Sequence, residues 1–169
     1  MLLIYVDNIV ITGPNAQMIQ DLQASLHQTF HMKDLGPLHY FLGLEVHQSP
    51  KCIVLNQHKY AVDLIDLTGL TSSAPVDKPV KLNVKLSKEE GDLLPDPTAY
   101  RQLVSSLIYL TITCPDISFA VNLMSQFMTA PLHLHLAAVR RIIRYLIRTP
   151  TRGLFFPSNN PFSHSLFRC

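Results

Sequence analysis

A chain of 169 residues, 47% apolar and only 15% charged, is long enough for a core of its own and too apolar for a disordered segment. Its formal net charge of +2 permits a polyanionic partner without requiring one, because electrostatic binding depends on where the cations cluster. Three widely spaced cysteines, Cys52, Cys114 and Cys169, exclude a disulfide framework and a zinc finger, and no apolar run reaches the roughly 18 residues of a membrane span. Met1 to Ile11 lacks the basic start of a signal peptide, so an intracellular setting, cytoplasmic or nuclear and not secreted, is expected.

Taken from the N-terminus, Leu2-Leu3-Ile4-Tyr5 and Ile9-Val10-Ile11 flank a polar pair, Asp7-Asn8. Two β-rich runs around such a pair predict a tight antiparallel hairpin with Asp7 and Asn8 at its tip. An ordinary Asp-Asn turn and a metal-binding turn both fit this pattern. After the Gly13-Pro14 break, Ile19, Leu22, Leu26 and Phe30 recur at helical spacing and predict an amphipathic helix over about residues 15–30. Tyr40 to Val46 reads as a strand, turned back by Ser49-Pro50-Lys51 into Cys52 to Leu55, so a second hairpin is expected. Tyr60, Leu64, Ile65 and Leu67 then give a short helix stopped by Gly69 as a C-terminal cap.

Residues 71–98 carry Pro75, Pro79, Pro95 and Pro97 among alternating charges, which predicts an extended, solvated linker. Beyond it, helices are expected from Tyr100 to Thr111, from a restart with Thr113 and Asp116 at capping-box spacing to Met128, and from His135 to Arg148. Gly153 to Phe156 has the composition of a strand start. The eight histidines are scattered, and His133 and His135, two residues apart, suit no helical metal pair; surface or partly buried histidines are expected. On a helical wheel Arg140, Arg141, Arg144 and Arg148 share an arc of about 100°, opposite Val139, Ile142, Ile143 and Leu146. That stripe is either a solvated helix face or a surface for a phosphate backbone, where arginine makes forked hydrogen bonds.

The stretches LLIYVDNIVITG, MKDLGPLHYFLGLEV, NQHKYAVDLIDLTGL, PVDKPVKLNVKLS, AYRQLVSSLIYLTITCPDISFAVNLMSQFM and AVRRIIRYLIRTPTRGLFF together resemble the reverse transcriptase of copia-type long-terminal-repeat retrotransposons, an RNA-directed DNA polymerase. The resemblance implies an α+β fold: a partial polymerase palm of two antiparallel β-hairpins with a packing helix, then a helical thumb-like segment. It divides the chain into the C-terminal part of a palm with a primer-grip-like hairpin (1–69), a Pro/Lys-rich linker (70–98), a thumb- or connection-like segment (99–156) and a disordered tail (157–169).

In that family two aspartates of the hairpin turn act with an earlier palm aspartate to hold two Mg²⁺ ions, hard cations that need anionic oxygen ligands. By resemblance Asp7 matches the first turn aspartate and is the expected metal ligand, while Asn8 stands where the second belongs. Asparagine keeps the shape but lacks the charge, and its amide nitrogen cannot bind a cation. Phe41, Leu42 and Gly43 match the primer grip and, with Arg140, Arg141 and Arg144, are the expected contacts to an RNA/DNA primer-template. The expected product is a truncated fragment without polymerase activity of its own, with a missing upstream polymerase segment as partner and no membrane role. No ribonuclease activity is expected, since residues 157–169 hold no Asp or Glu. The alternatives are a non-catalytic nucleic-acid-binding remnant and a non-functional degenerate transposon product.

Overall fold

The computed structural model describes residues 1–81 and 91–157. Within these limits the fold is mixed helix and sheet and falls into two compact units, Met1–His39 and Tyr40–Cys169. The boundary lies within the segment expected to be one palm piece. Residues 82–90 of the expected linker and 158–169 of the expected tail lie outside the described residues.

The first unit contains an antiparallel hairpin, β1 (Leu2–Tyr5) and β2 (Asn8–Ile11), and one helix, α1 (Ala16–Phe30). Leu2 pairs with Ile11 and Tyr5 with Asn8, so the tip is Val6-Asp7. The expected Asp7-Asn8 tip is therefore shifted by one residue, and Asn8 is the first residue of β2. Positive φ falls on Val6, at 47°, and on neither Asp7 nor Asn8, the φ pattern of a II′ turn. A β-branched residue in this region is strained. Helix α1 begins at Asn15, whose Oδ1 accepts from the backbone N–H groups of Gln17 and Met18 at 2.9 and 3.2 Å. It ends where His31 turns left-handed, at φ 51°. No residue of α1 is buried, and Leu3, Ile4, Tyr5, Val6, Met18 and Phe30 are all exposed. The apolar pattern that predicts α1 is present, but it is covered only in part: Ile19 and Leu26 are half-buried, Leu22 and Phe30 exposed.

The second unit has a four-stranded antiparallel sheet in the order β3-β4-β5-β6, made by Tyr40–Phe41, Leu44–Gln48, Cys52–Asn56 and Gly153–Pro157. The single strand expected over Tyr40 to Val46 is split by a two-residue turn, Leu42-Gly43, with φ of 50° and 77°. Both central residues are left-handed, as a I′ hairpin requires. Strand β6 returns from the end of the chain to pair along the whole of β5, Asn56 with Gly153 and Cys52 with Pro157. A Cβ at Gly153 would fall on the carbonyl oxygen of Leu55 and lie 2.8 Å from Cβ of Asn56. Because the obstacle is backbone inside a ladder, Gly153→Ala is expected to detach β6 and cost about 3 kcal/mol. Urea unfolding, with amide exchange along Leu154 to Phe156, checks this.

Helices α2 (His58–Leu67), α3 (Thr98–Leu110), α4 (Ser118–Ser125) and α5 (His133–Arg148) build the core. Tyr100, Leu103, Val104, Leu107 and Leu110 follow helical spacing on α3 and meet Ala120, Val121 and Met124 of α4, Val139, Ile142, Ile143 and Leu146 of α5, and Ala61, Leu64 and Ile65 of α2. Each fully buried leucine or isoleucine contributes about 1.5–3 kcal/mol over an exposed one. The Tyr100 hydroxyl donates to the Met124 carbonyl at 2.7 Å, and burial pushes its pKa up to about 12. Helix α2 ends as expected at Gly69, with φ 65°. There the N–H groups of Gly69 and Leu70 reach the carbonyls of Asp66 and Ile65, a Schellman closure.

Two expectations fail here for packing reasons. The capping box of Thr113 and Asp116 does not form: a 3₁₀ turn, Pro115–Ile117, precedes α4 and no side chain caps it. The Thr113 hydroxyl instead donates to Gln57 Oε1 at 2.8 Å, deep in the core. The linker is not solvated throughout, since Val76, Val80 and Leu94 pack on the core. The Leu94 N–H bonds the Pro131 carbonyl at 2.9 Å.

Candidate nucleic-acid interface and metal turn

The three clusters of expected site residues each take their geometry from a different element. At the β1–β2 tip Asp7 is exposed, beyond the last strand pair, Tyr5 with Asn8. Its donor set is one carboxylate, with one amide on the neighbouring strand residue. Among the described residues no three His, Cys, Asp or Glu side chains converge as a metal site. Mg²⁺ demands near-octahedral oxygen coordination, so Asp7 and Asn8 do not by themselves fit a Mg²⁺ centre.

The Phe41-Leu42-Gly43 turn caps the β3–β4 hairpin. Phe41 is half-buried and Leu42 is exposed. Tyr109, near the end of α3, donates its hydroxyl to the Leu42 carbonyl. A Cβ on Gly43 would collide with that same hydroxyl, so both φ and space restrict the position to glycine. Tyr109 in turn meets Tyr60 of α2 edge to face, with ring centroids 5.0 Å apart at 80°. Sequence reasoning missed Tyr109, which carries no local signal because its partner lies 67 residues away.

The arginine stripe of α5 is only partly open. Arg140 and Arg148 are exposed, while Arg141 and Arg144 are half-buried. Segment 74–81 accounts for much of this. Arg144 Nε donates to the Ala74 carbonyl at 3.1 Å, its own carbonyl accepts the Val76 N–H at 3.4 Å, and Arg148 pairs with Asp77. Arg141 Nε is buried without a hydrogen-bond partner. Beside it, Arg141 and Arg144 line a cavity of about 350 Å³ with Val80, Leu134 and Ile142. Of the four arginines of the stripe, Arg140 alone is both exposed and without a hydrogen-bond or ion-pair partner among the described residues.

Two buried polar groups escaped the sequence. Asp116 Oδ2 accepts from the Tyr145 hydroxyl and from Arg152 Nη1, each at 2.5 Å, and Arg152 also contacts the Tyr145 hydroxyl. Burial first, then the hydrogen bond to Asp116 and its charge, push the Tyr145 phenol up. His135, expected at or near the surface, is fully buried. It stacks on Phe127 at 3.8 Å, and its Nδ1 accepts the Leu132 N–H at 3.0 Å. The second histidine of the pair thus closes the start of α5.

Comparison with known proteins gives the family. Residues 1–82 match the family described as reverse transcriptase (RNA-dependent DNA polymerase). The chain is 44% identical over 162 residues to the Retrovirus-related Pol polyprotein from transposon RE1 of Arabidopsis thaliana, covering 96% of this chain and 11% of that one. It is 34% identical over 172 residues to the Retrovirus-related Pol polyprotein from transposon TNT 1-94 of Nicotiana tabacum, covering 95% of this chain and 13% of that one. An uncharacterized mitochondrial protein of Arabidopsis thaliana is 37% identical over 166 residues, with 98% of this chain and 69% of that protein covered. No solved structure matches. No helix among the described residues is long and apolar enough to cross a membrane. The chain spans about a tenth of the polyproteins it matches, and it belongs to the reverse transcriptase family of copia-type retrotransposons.

Proposed function

We propose that the chain is the part of a copia-type reverse transcriptase that carries the palm's metal turn, a primer-grip hairpin and a thumb-like helical layer. In this reading it binds a primer-template and does not transfer nucleotides on its own. The observation that carries it is the Tyr5-Val6-Asp7-Asn8 tip, a strained two-residue turn that presents one carboxylate to solvent. In the intact family Mg²⁺ neutralises charge at the attacking and leaving oxygens; Asp7 would supply one ligand of such a centre, the others coming from residues that do not gather into a site among those described. The exposed strand β1 and the half-covered apolar faces of β2 and α1, none of whose residues is buried, fit a unit that completes its core against further polymerase segments, since exposed strands and faces of this kind otherwise invite aggregation.

A non-catalytic nucleic-acid-binding remnant is favoured as the second reading by Arg140, a cation left open on α5. Binding to a fluorescent RNA–DNA hybrid, followed by anisotropy at increasing KCl, tests both readings. Each phosphate contact adds about 0.9 to the magnitude of the salt slope. Arg140→Ala is expected to weaken binding equally across sequences and to lower that slope by about one. Salt-insensitive binding, or none, rejects both readings.

A further inference from the structure

We propose that Tyr109 is a positioning residue that locks the Leu42-Gly43 turn in the conformation which meets the primer-template. The inference rests on the primer-grip reading of that turn. Three independent features converge on one phenol. Leu42 holds φ 50°, a left-handed conformation that L-residues with a branched side chain avoid, and Leu42 has none of the local hydrogen bonding that lets asparagine occupy it. The Tyr109 hydroxyl donates to the carbonyl of this strained residue, a bond that favours the left-handed turn in which it is made. Gly43, at φ 77°, leaves the space that the hydroxyl fills.

The clamp is itself anchored. Tyr109 stands on α3 between the buried Leu107 and Leu110 and rests edge to face on Tyr60, so the hydroxyl is fixed by the core and not by the turn. Strain that persists because the surroundings over-determine it points to a functional site. Here it keeps Leu42, 42% exposed, and Tyr40, 60% exposed, at the open end of the sheet. A turn that would otherwise relax is pre-organised, which lowers the ordering cost of binding.

The test is a double-mutant cycle on the 169-residue chain, read as affinity for a fluorescent RNA–DNA hybrid. Tyr109→Phe keeps the ring and removes the hydroxyl. It is expected to weaken binding about fivefold, the scale of one hydrogen bond. In a Leu42→Gly background the turn becomes left-handed without help, and Tyr109→Phe is then expected to change affinity by less than about twofold. Equal losses in both backgrounds would mean the hydroxyl merely supports the fold, and the proposal fails. If Phe41→Ala with Leu42→Ala weakens binding while Tyr109→Phe does not, the grip reading stands and the lock is rejected. If that double replacement leaves affinity unchanged, the turn is no grip, and the lock falls with it.

Discussion

Given an RNA template, a DNA primer, nucleotides and either Mg²⁺ or Mn²⁺, the 169-residue chain extends no primer, and Asn8→Asp leaves that result unchanged. Two-metal transfer needs several carboxylates to hold two divalent ions against the attacking and leaving oxygens. The hairpin tip offers Asp7 alone, and no other acidic or imidazole groups gather into a site among the described residues. Replacing Asn8 restores one unit of negative charge beside Asp7, so it is expected to tighten divalent-ion binding at the tip. It leaves most of the six oxygen positions of a Mg²⁺ ion to water. Without the ions the loss is the catalytic acceleration itself, typically at least about 10⁶-fold. A denaturing gel after long incubation is sensitive enough to decide. Extension products from the unaltered chain would overturn the reading of an inactive piece; products from Asn8→Asp alone would show that the second turn carboxylate was the sole deficiency.

The second large effect is structural. Asp116→Ala is expected to destabilise the second unit by about 3 kcal/mol, because a half-buried guanidinium then loses its counter-charge. The side chain of Asp116 is 8% exposed and that of Arg152 is 31% exposed, so water replaces the lost carboxylate only in part. Arg152 lies one residue before β6, with its guanidinium 5.4 Å above the Tyr145 ring. Its Nη1 and the Tyr145 hydroxyl share Asp116 Oδ2, so one carboxylate ties the start of β6 to α5 and to the 3₁₀ turn. Asp116→Asn, which keeps an acceptor, is expected to cost less than half as much. Asp116→Ala combined with Arg152→Ala is expected to cost clearly less than the sum of the single changes, as for partners in one network. Urea unfolding of the four variants measures this. A loss below about 1 kcal/mol, or strict additivity, would remove the network from the list of what holds β6 in place.

Much of the local structure was legible because local physics decides it. Ile19, Leu22, Leu26 and Phe30 announced α1; the helical signal from Tyr100 to Thr111 announced α3; Gly69 announced the end of α2 and adopts the left-handed conformation expected of it. Errors arose wherever a residue's partner lay far along the chain. Thr113 has the spacing of a cap, yet its hydroxyl belongs to Gln57, 56 residues away. The Phe41-Leu42-Gly43-Leu44 run reads as continuous strand because leucine rarely turns left-handed; in the fold Leu42 does so, with its carbonyl accepting the Tyr109 hydroxyl. At the first hairpin the strand pairing moved the tip from Asp7-Asn8 to Val6-Asp7, since register is set by the pairing of whole strands and a one-residue slip reverses every side chain.

The candidate site divides the same way. Composition and motif wording were enough to name the family, to single out Asp7 and Asn8, and to draw the arginine stripe, because these depend on residue identity and helical spacing alone. They could not tell which arginines remain open. Arg144 and Arg148 are engaged by Ala74 and Asp77, from a segment whose prolines and charges read as solvated, while Arg140 is exposed. Sequence by itself determined the apolar periods, the turn-forming residues and the single carboxylate at the tip. Tertiary structure alone decided the β5–β6 pairing, the Asp116–Arg152 tie and the clamp on Leu42, because each joins residues dozens of positions apart, and such contacts follow from chain packing that no local pattern encodes.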